Sequence, residues 1–437
     1  MTTKYFNIAL YIFFGIAIII AVALFSGKTD FGNKKSDTEA AGTVSLWGTI
    51  PSSVISSALS TYNNDHQDYG VSYRYIEPST YEDELIEAFA SGKGPDMYMV
   101  TPGLLTRFSD KISPIPYTSF TERSYTDSFV TAANIFLTEQ GILALPFRSD
   151  PLVMYYNRDI LESSFQLTPP RYWDDMYAFA QSVTKKSADG IISESAIAFG
   201  AWDNVTHAKD IVAMMLLQSG NAVTERSGSS LVSVLDKPTA SGNSTARSLV
   251  TFYGEFANPS SLYYSWNEAK PESFDAFVAG DLALYFGYAS ELPTILAKNP
   301  NLNFDVAIVP QIKNIATQKT YVDLVGIAIS KFSKNPITAY VVASEMTGKD
   351  FSETLAEGGD VTPSVRRDML KTATTVDDAY RAVFNNSAIV GATWIDPDSG
   401  GTESIFRTMI KSYTSGAASA NDAVRSAHSA LDLLIKS

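Results

Sequence analysis

The chain has no cysteine and only three histidines, His66, His207 and His428. The missing cysteine excludes disulfides, thiolate metal sites, a cysteine nucleophile and a lipid-bearing N-terminal cysteine. Three scattered histidines leave little material for a metal centre or a catalytic triad. GxSxG, HExxH and GxxxxGK[ST] motifs are also lacking, which removes the commonest hydrolase, zinc and phosphate-loop readings. Basic residues are in deficit: 33 Lys and Arg face 47 Asp and Glu, for a net charge of −14. Such a surface repels phosphate backbones and anionic lipid head groups, so no nucleic-acid partner is expected. No metal, cofactor or catalytic residue is expected either.

Apolar residues are plentiful. They make up 45% of the chain against 18% charged, the balance of a globular protein. At 437 residues more than one core is expected, because single cores stop growing at roughly 250–300 residues. Ile8 to Phe25 is an uncharged apolar run, about 27 Å long as a helix and just sufficient to span a bilayer. It reads either as an uncleaved anchor over residues 1–26 or as a signal peptide cut near Ala21-Val22-Ala23. Signal-peptide apolar cores run only about 7–15 residues, which favours the anchor. Lys28, Lys34 and Lys35 follow the run and Lys4 precedes it, a bias toward the opposite topology that long C-terminal domains override. The expectation is a single-pass N-terminal anchor in the cell membrane, a tether over 27–41 and a folded part outside the cytoplasm.

The folded part opens with strand-like Val44-Ser45-Leu46-Trp47, a helical pattern from Pro51 to about Asn64, and strand-like Val71 to Ile76. An acidic helix from about Tyr81 to Ala90 and a strand Asp96 to Val100 follow. Strands alternating with helices of this length predict an α/β fold with a parallel sheet covered on both faces. Ligands in such sheets bind beyond the carboxyl ends of the strands, where Trp47 and Thr101-Pro102-Gly103 stand. Core packing is the plainer reading of Trp47, and a turn the plainer reading of Gly103. Further on, two apolar runs over Ile142–Leu161 flank a polar Arg148-Ser149-Asp150 corner, and Asn157 to Leu161 reads as a helix start.

Pro146, Tyr155-Tyr156-Asn157-Arg158-Asp159-Ile160 and Pro170-Arg171-Tyr172-Trp173-Asp174-Asp175 resemble, in order and spacing, the family 1 extracellular solute-binding proteins. These are the maltose-binding-protein-like receptors of ABC importers. Phe277 to Tyr288 resembles a second family element, and Asp323 to Ser330 followed by a helix over about Pro336–Met346 resembles a third. The resemblance implies a two-lobed periplasmic-binding-protein-like fold with discontinuous lobes. Lobe one would be 42–148 plus 306–349, and lobe two 149–305 plus 350–437. It also implies capture of a small polar solute, foremost a carbohydrate, between the lobes and delivery to the permease subunits of an ABC transporter.

Candidate ligand contacts follow. Sugars are recognised by aromatic faces and planar polar side chains, and Trp47, Tyr288 and Trp394 supply faces. Gly287 suggests a tight turn that presents Tyr288 sideways into a cleft. Thr101 and Asp323 lie at strand ends of the resembled pattern. Arg148, Ser149 and Asp150 sit where the resemblance places a crossing between lobes, although Arg148 has the alternative of pairing with Asp150. Asp203 has the alternative of capping a helix over about Thr206–Gln218. Tyr263 to Trp266 reads as a sugar platform or as core. Two rivals stay open: an anchored glycosidase, which needs a close pair of carboxylates, and a binding module that acts as a sensor or adhesin without a transporter.

Overall fold

The computed structural model describes residues 40–228, 230–238, 244–315, 317–370 and 379–436. The expected membrane helix over 1–26 and most of the tether lie outside these residues. Among the described residues no helix is long and apolar enough to cross a membrane.

Strand β1 (Gly42–Gly48) buries Val44, Leu46 and Gly48 and leaves their neighbours more exposed, the period-two pattern of a half-buried strand. Helix α1 (Ser52–Asp65) buries Ile55, Ala58, Leu59 and Tyr62, a spacing that lines one helical face. Strand β2 (Tyr69–Tyr75) pairs parallel with β1. Helix α2 (Pro78–Ala90) begins at a proline, whose fixed φ suits a first helical turn. Strand β3 (Met97–Val100), buried at every position, lies parallel on the other side of β1. These are the βαβ units that the alternation predicts.

Beyond β3 the structure departs from the expected parallel sheet. Leu145–Asn157 is one continuous strand of 13 residues, β4, so Arg148-Ser149-Asp150 is mid-strand and not a corner. Asn157 ends it and caps the next helix, its side-chain oxygen accepting the N–H of Asp159 at 2.9 Å and of Ile160 at 3.1 Å. Later strands are β5 (Lys185–Lys186), β6 (Ile192–Ile197), β7 (Leu282–Tyr288), β8 (Phe304–Ala307), β9 (Thr320–Ile329) and β10 (Gly391–Ala392). All ten form one sheet in the order β2-β1-β3-β9-β4-β7-β6-β5, with β8 on β4 and β10 on β9. The central pairs β3–β9, β9–β4 and β4–β7 are antiparallel. The other helices used below are α3 (Ala208–Gln218), α4 (Lys349–Glu357) and α5 (Ser399–Thr414).

Buried side chains divide into two cores. One gathers residues from Val44 to Phe147 and from Val322 to Leu370, with Ala388. The other gathers Leu152 to Val309 and Phe384 to Leu431. β4 therefore passes from the first core to the second between Phe147 and Leu152, and β9 returns at Val322. Val306 and Val309 pack in the second core, while Phe351, Leu355, Val365 and Leu370 pack in the first. The division thus falls later than the expected breaks at 306 and 349. Its cause is visible at α4, where Phe351 meets Tyr62 of α1 edge-on with ring centres 6.0 Å apart. The Tyr263–Trp266 segment belongs to the packing: Trp266 is fully buried and its indole donates to Asn204 at 3.1 Å.

Candidate ligand-binding cavity

Between the two cores lies a cavity of about 700 Å³, within the range that holds a small organic ligand. Thr101, Pro102 and Gly103, just after β3, form its wall on the first core. Tyr321 and Asp323 reach it from the crossing strand β9, and Tyr288 from the end of β7. The segment from Trp202 into the first turn of α3 and the stretch from Trp394 to Arg407 supply the rest.

Local conformation explains how these side chains arrive. His207 precedes α3 with a left-handed backbone, φ +62°, and its ring bonds the Glu291 carboxylate. Burial alone would lower the imidazole pKa, but the Glu291 hydrogen bond and charge raise it above the usual value. Glu291 also accepts the N–H of Tyr288 at 3.2 Å, which fixes the tyrosine at the cavity. Gly287 is not a turn. It lies within β7, where a Cβ would stand 2.4 Å from the Tyr285 ring and 2.8 Å from Glu291, so glycine is required there by close approach. The Tyr288 hydroxyl donates to Asp210 at 2.8 Å, and burial raises the pKa of Asp210 despite His207 and Lys209 nearby.

Most charged groups of the wall are engaged with one another. Lys209 donates to Asp396 at 2.7 Å and to the Ser399 hydroxyl at 2.9 Å. Asp203 accepts Lys411 at 2.7 Å and pairs with Arg407 at 3.1 Å, and the Lys411 hydrogen bond lowers its pKa. Glu403 accepts the Trp202 indole at 2.6 Å. Asp323 is the exception: among the described residues its side chain takes no hydrogen bond and no ion pair. Burial, with Asp150 and Asp210 close by, pushes its carboxyl up to about 6. At the rim, Arg107 on the first core bonds Asp398 on the second at 3.1 Å, and Asp398 also caps α5.

Of the nine candidates read from the sequence, the cavity brings together Thr101, Asp203, Tyr288, Asp323 and Trp394. Trp394 is shared with the core, since it is 3% exposed and stacks on Phe406 at an interplanar angle of 13°. Asp203 is held by cations, not used as a helix cap. Trp47, Arg148, Ser149 and Asp150 are not in the wall. Trp47 lies under the Arg74 guanidinium, 4.3 Å from its ring centre, because the two residues are register partners on β1 and β2. Arg148 bonds Thr362 at 3.2 Å and pairs with Asp360 at 3.4 Å and Asp150 at 3.8 Å. Ser149 donates to the Pro363 carbonyl at 3.2 Å, and Asp150 accepts the Ser290 N–H at 3.1 Å. Their polar atoms are spent inside the protein.

His207, Lys209, Asp210, Tyr321, Asp396 and Glu403 were not anticipated. An acid such as Asp210 in a first helical turn reads as a complement to the helix dipole, and only the tertiary fold turns it toward a cavity.

The bacterial extracellular solute-binding protein family matches residues 47–353. The chain belongs to that family. No curated protein matches the sequence, whereas solved structures match it over nearly their whole length. The sugar-binding protein MalE from Xanthomonas citri superposes with a TM-score of 0.73 at 16% identity, covering 90% of this chain and 97% of that one. A cyclo/maltodextrin-binding protein complexed with maltotetraose gives 0.70 at 15% identity, with 90% and 97% covered. A Thermotoga lettingae ABC transporter solute-binding protein bound to α-D-tagatose gives 0.68 at 17%, with 90% and 100% covered. At these identities the likeness establishes the two-lobed α/β fold of solute-binding proteins.

Proposed function

We propose that this solute-binding protein captures a carbohydrate in the cavity between its two cores and presents it to an ABC importer, held at the outer face of the membrane by its N-terminal segment. The observation that carries the reading is the cavity wall. Thr101 and its neighbours come from one core, Tyr288, Asp210 and Trp394 from the other, and Asp323 from a strand joining them. A solute that touches both cores only when they approach has higher affinity for the closed state, which is what shifts a population toward closure. Aromatic faces beside carboxylates and a lysine suit the C–H faces and hydroxyl edges of sugars. The structural relatives named above bind maltotetraose and tagatose, which agrees. An anchor would keep the receptor at high effective concentration beside its permease.

A thermal-shift screen of the chain from Gly42 onward, against mono- and oligosaccharides, polyol phosphates and amino acids, tests this. A solute at about 100 times its Kd adds about 2.7 kcal/mol of stability, and a reproducible shift with one sugar class is expected. Hydrolysis of a glycoside in the same samples would replace the receptor by the anchored glycosidase. A shift with amino acids alone would replace the sugar.

A further inference from the structure

The acids of the cavity outnumber its bases, and the surplus is local. Lys209 is committed to Asp396, Arg407 to Asp203 and His207 to Glu291. That leaves Asp210 and Glu403, which receive the Tyr288 hydroxyl and the Trp202 indole, and Asp323, which among the described residues receives no hydrogen bond and feels the Arg148 and His207 charges only at a distance. Charged groups withdrawn from water are ordinarily paired, and Asp150, the register partner of Asp323 on β4, follows that rule with Arg148 and the Ser290 N–H. Asp323 instead lines the cavity.

Two further observations lie on the same wall. Trp202, Tyr288, Tyr321 and Trp394 bring aromatic rings to it, and aromatic faces with a free carboxylate are the chemistry that recognises an organic ammonium. Trp394 is 3% exposed and its indole N–H is sealed from water, without an acceptor among the described residues, so it backs the wall and leaves Tyr288 and Tyr321 as the more accessible rings. A metal ion fits the wall less well, because among the described residues no three acidic or histidine ligands converge.

We propose that the solute is an amino sugar, and that Asp323, with Asp210 beside it, takes its ammonium group while its ring lies against the aromatic part of the wall. This rests on the reading of the cavity as the sugar site. The ammonium would neutralise two neighbouring carboxylates that repel each other, and the overall negative charge of the protein would draw cations toward it.

The test is isothermal titration calorimetry on the full chain in detergent at pH 7. The ligands are glucosamine and its dimer and trimer, each against its N-acetylated form, with maltotriose and spermidine alongside. The amine form should bind roughly tenfold or more tightly than the acetylated form, as expected where a charge finds its complement in a partly dehydrated site. Asp323→Asn, nearly isosteric, should bring the two forms level, and Asp210→Asn should narrow the gap, with thermal melts showing that both variants fold. If acetylated or neutral sugars bind as tightly as the amines, the ammonium subsite is overturned and the sugar receptor stands. If spermidine binds and no sugar does, the amino-sugar assignment and the carbohydrate reading both fall. If nothing binds, both fall likewise.

Discussion

Asp150 and Asp323 are opposite each other on neighbouring strands at the place where the chain crosses between cores, yet their surroundings differ completely. Asp150 is 6% exposed and sits in a closed corner with Arg148, Asp360, Thr362 and the Ser290 N–H. Asp323 is half-buried, opens to the cavity and, among the described residues, takes no hydrogen bond or ion pair. The same residue type, one strand apart, is structural on one side and available to a ligand on the other. What separates the two roles is whether the neighbouring segments bring a donor, as Ser290 does to Asp150 from 140 positions away in sequence.

The comparison breaks most visibly at the closed corner. Arg148→Ala leaves Asp150 and Asp360 facing each other without a cation, and removing one member of a buried ion pair costs about 3–5 kcal/mol. Urea denaturation should show that loss, and a loss below about 1 kcal/mol would mean that the corner is not held by charge. At the open side the sign reverses. Folded Asp323 keeps its proton to about pH 6, against an ordinary 3.8. Between those values the folded state binds more protons than the unfolded one, so stability falls as pH rises through that window and stays low above it. Asp323→Asn should therefore stabilise the ligand-free protein at pH 7 by about 1–2 kcal/mol and flatten this part of the pH profile. Equal melting temperatures for variant and parent at pH 7 would show that the carboxylate is already well solvated.

The smallest effect belongs to Tyr288→Phe. It deletes the hydroxyl that donates to Asp210 and should cost about 1 kcal/mol, while raising the Asp210 pKa further, since the hydrogen bond favours the charged form. Carboxyl chemical shifts followed against pH would report it, and an unchanged titration would sever the link between tyrosine and aspartate.

Much of the fold was legible. Alternation marked β1 and β2, helical spacing marked α1, and Pro336 stands at the start of its helix as expected, while α2 begins at Pro78, ahead of the expected Tyr81. The central crossing was not. A polar triplet inside an apolar run reads as a turn, and Arg148-Ser149-Asp150 stays extended only because Asp360, Thr362 and Pro363 arrive from far along the chain to satisfy it. The cavity was legible where an aromatic ends a strand, as at Tyr288. Trp47 has the same signature and a different fate, because the register of β2 lays Arg74 across it. Asp210 and Lys209 gave no local signal, since their partners, Tyr288 at the end of β7 for the acid and Asp396 with Ser399 for the lysine, arrive only through tertiary packing.

The two crossing strands carry a mechanical consequence. β4 and β9 run side by side without interruption from one core into the other, and their register slips at Val325/Gly326. A rotation of one core against the other would change the twist of this two-stranded ribbon, which acts as a torsion spring. Gly326, where a Cβ would stand 2.8 Å from Ala144 and 2.9 Å from Phe136, lets the ribbon lie flush against the first core. That end is clamped, and the travel is left to the stretch that passes the cavity.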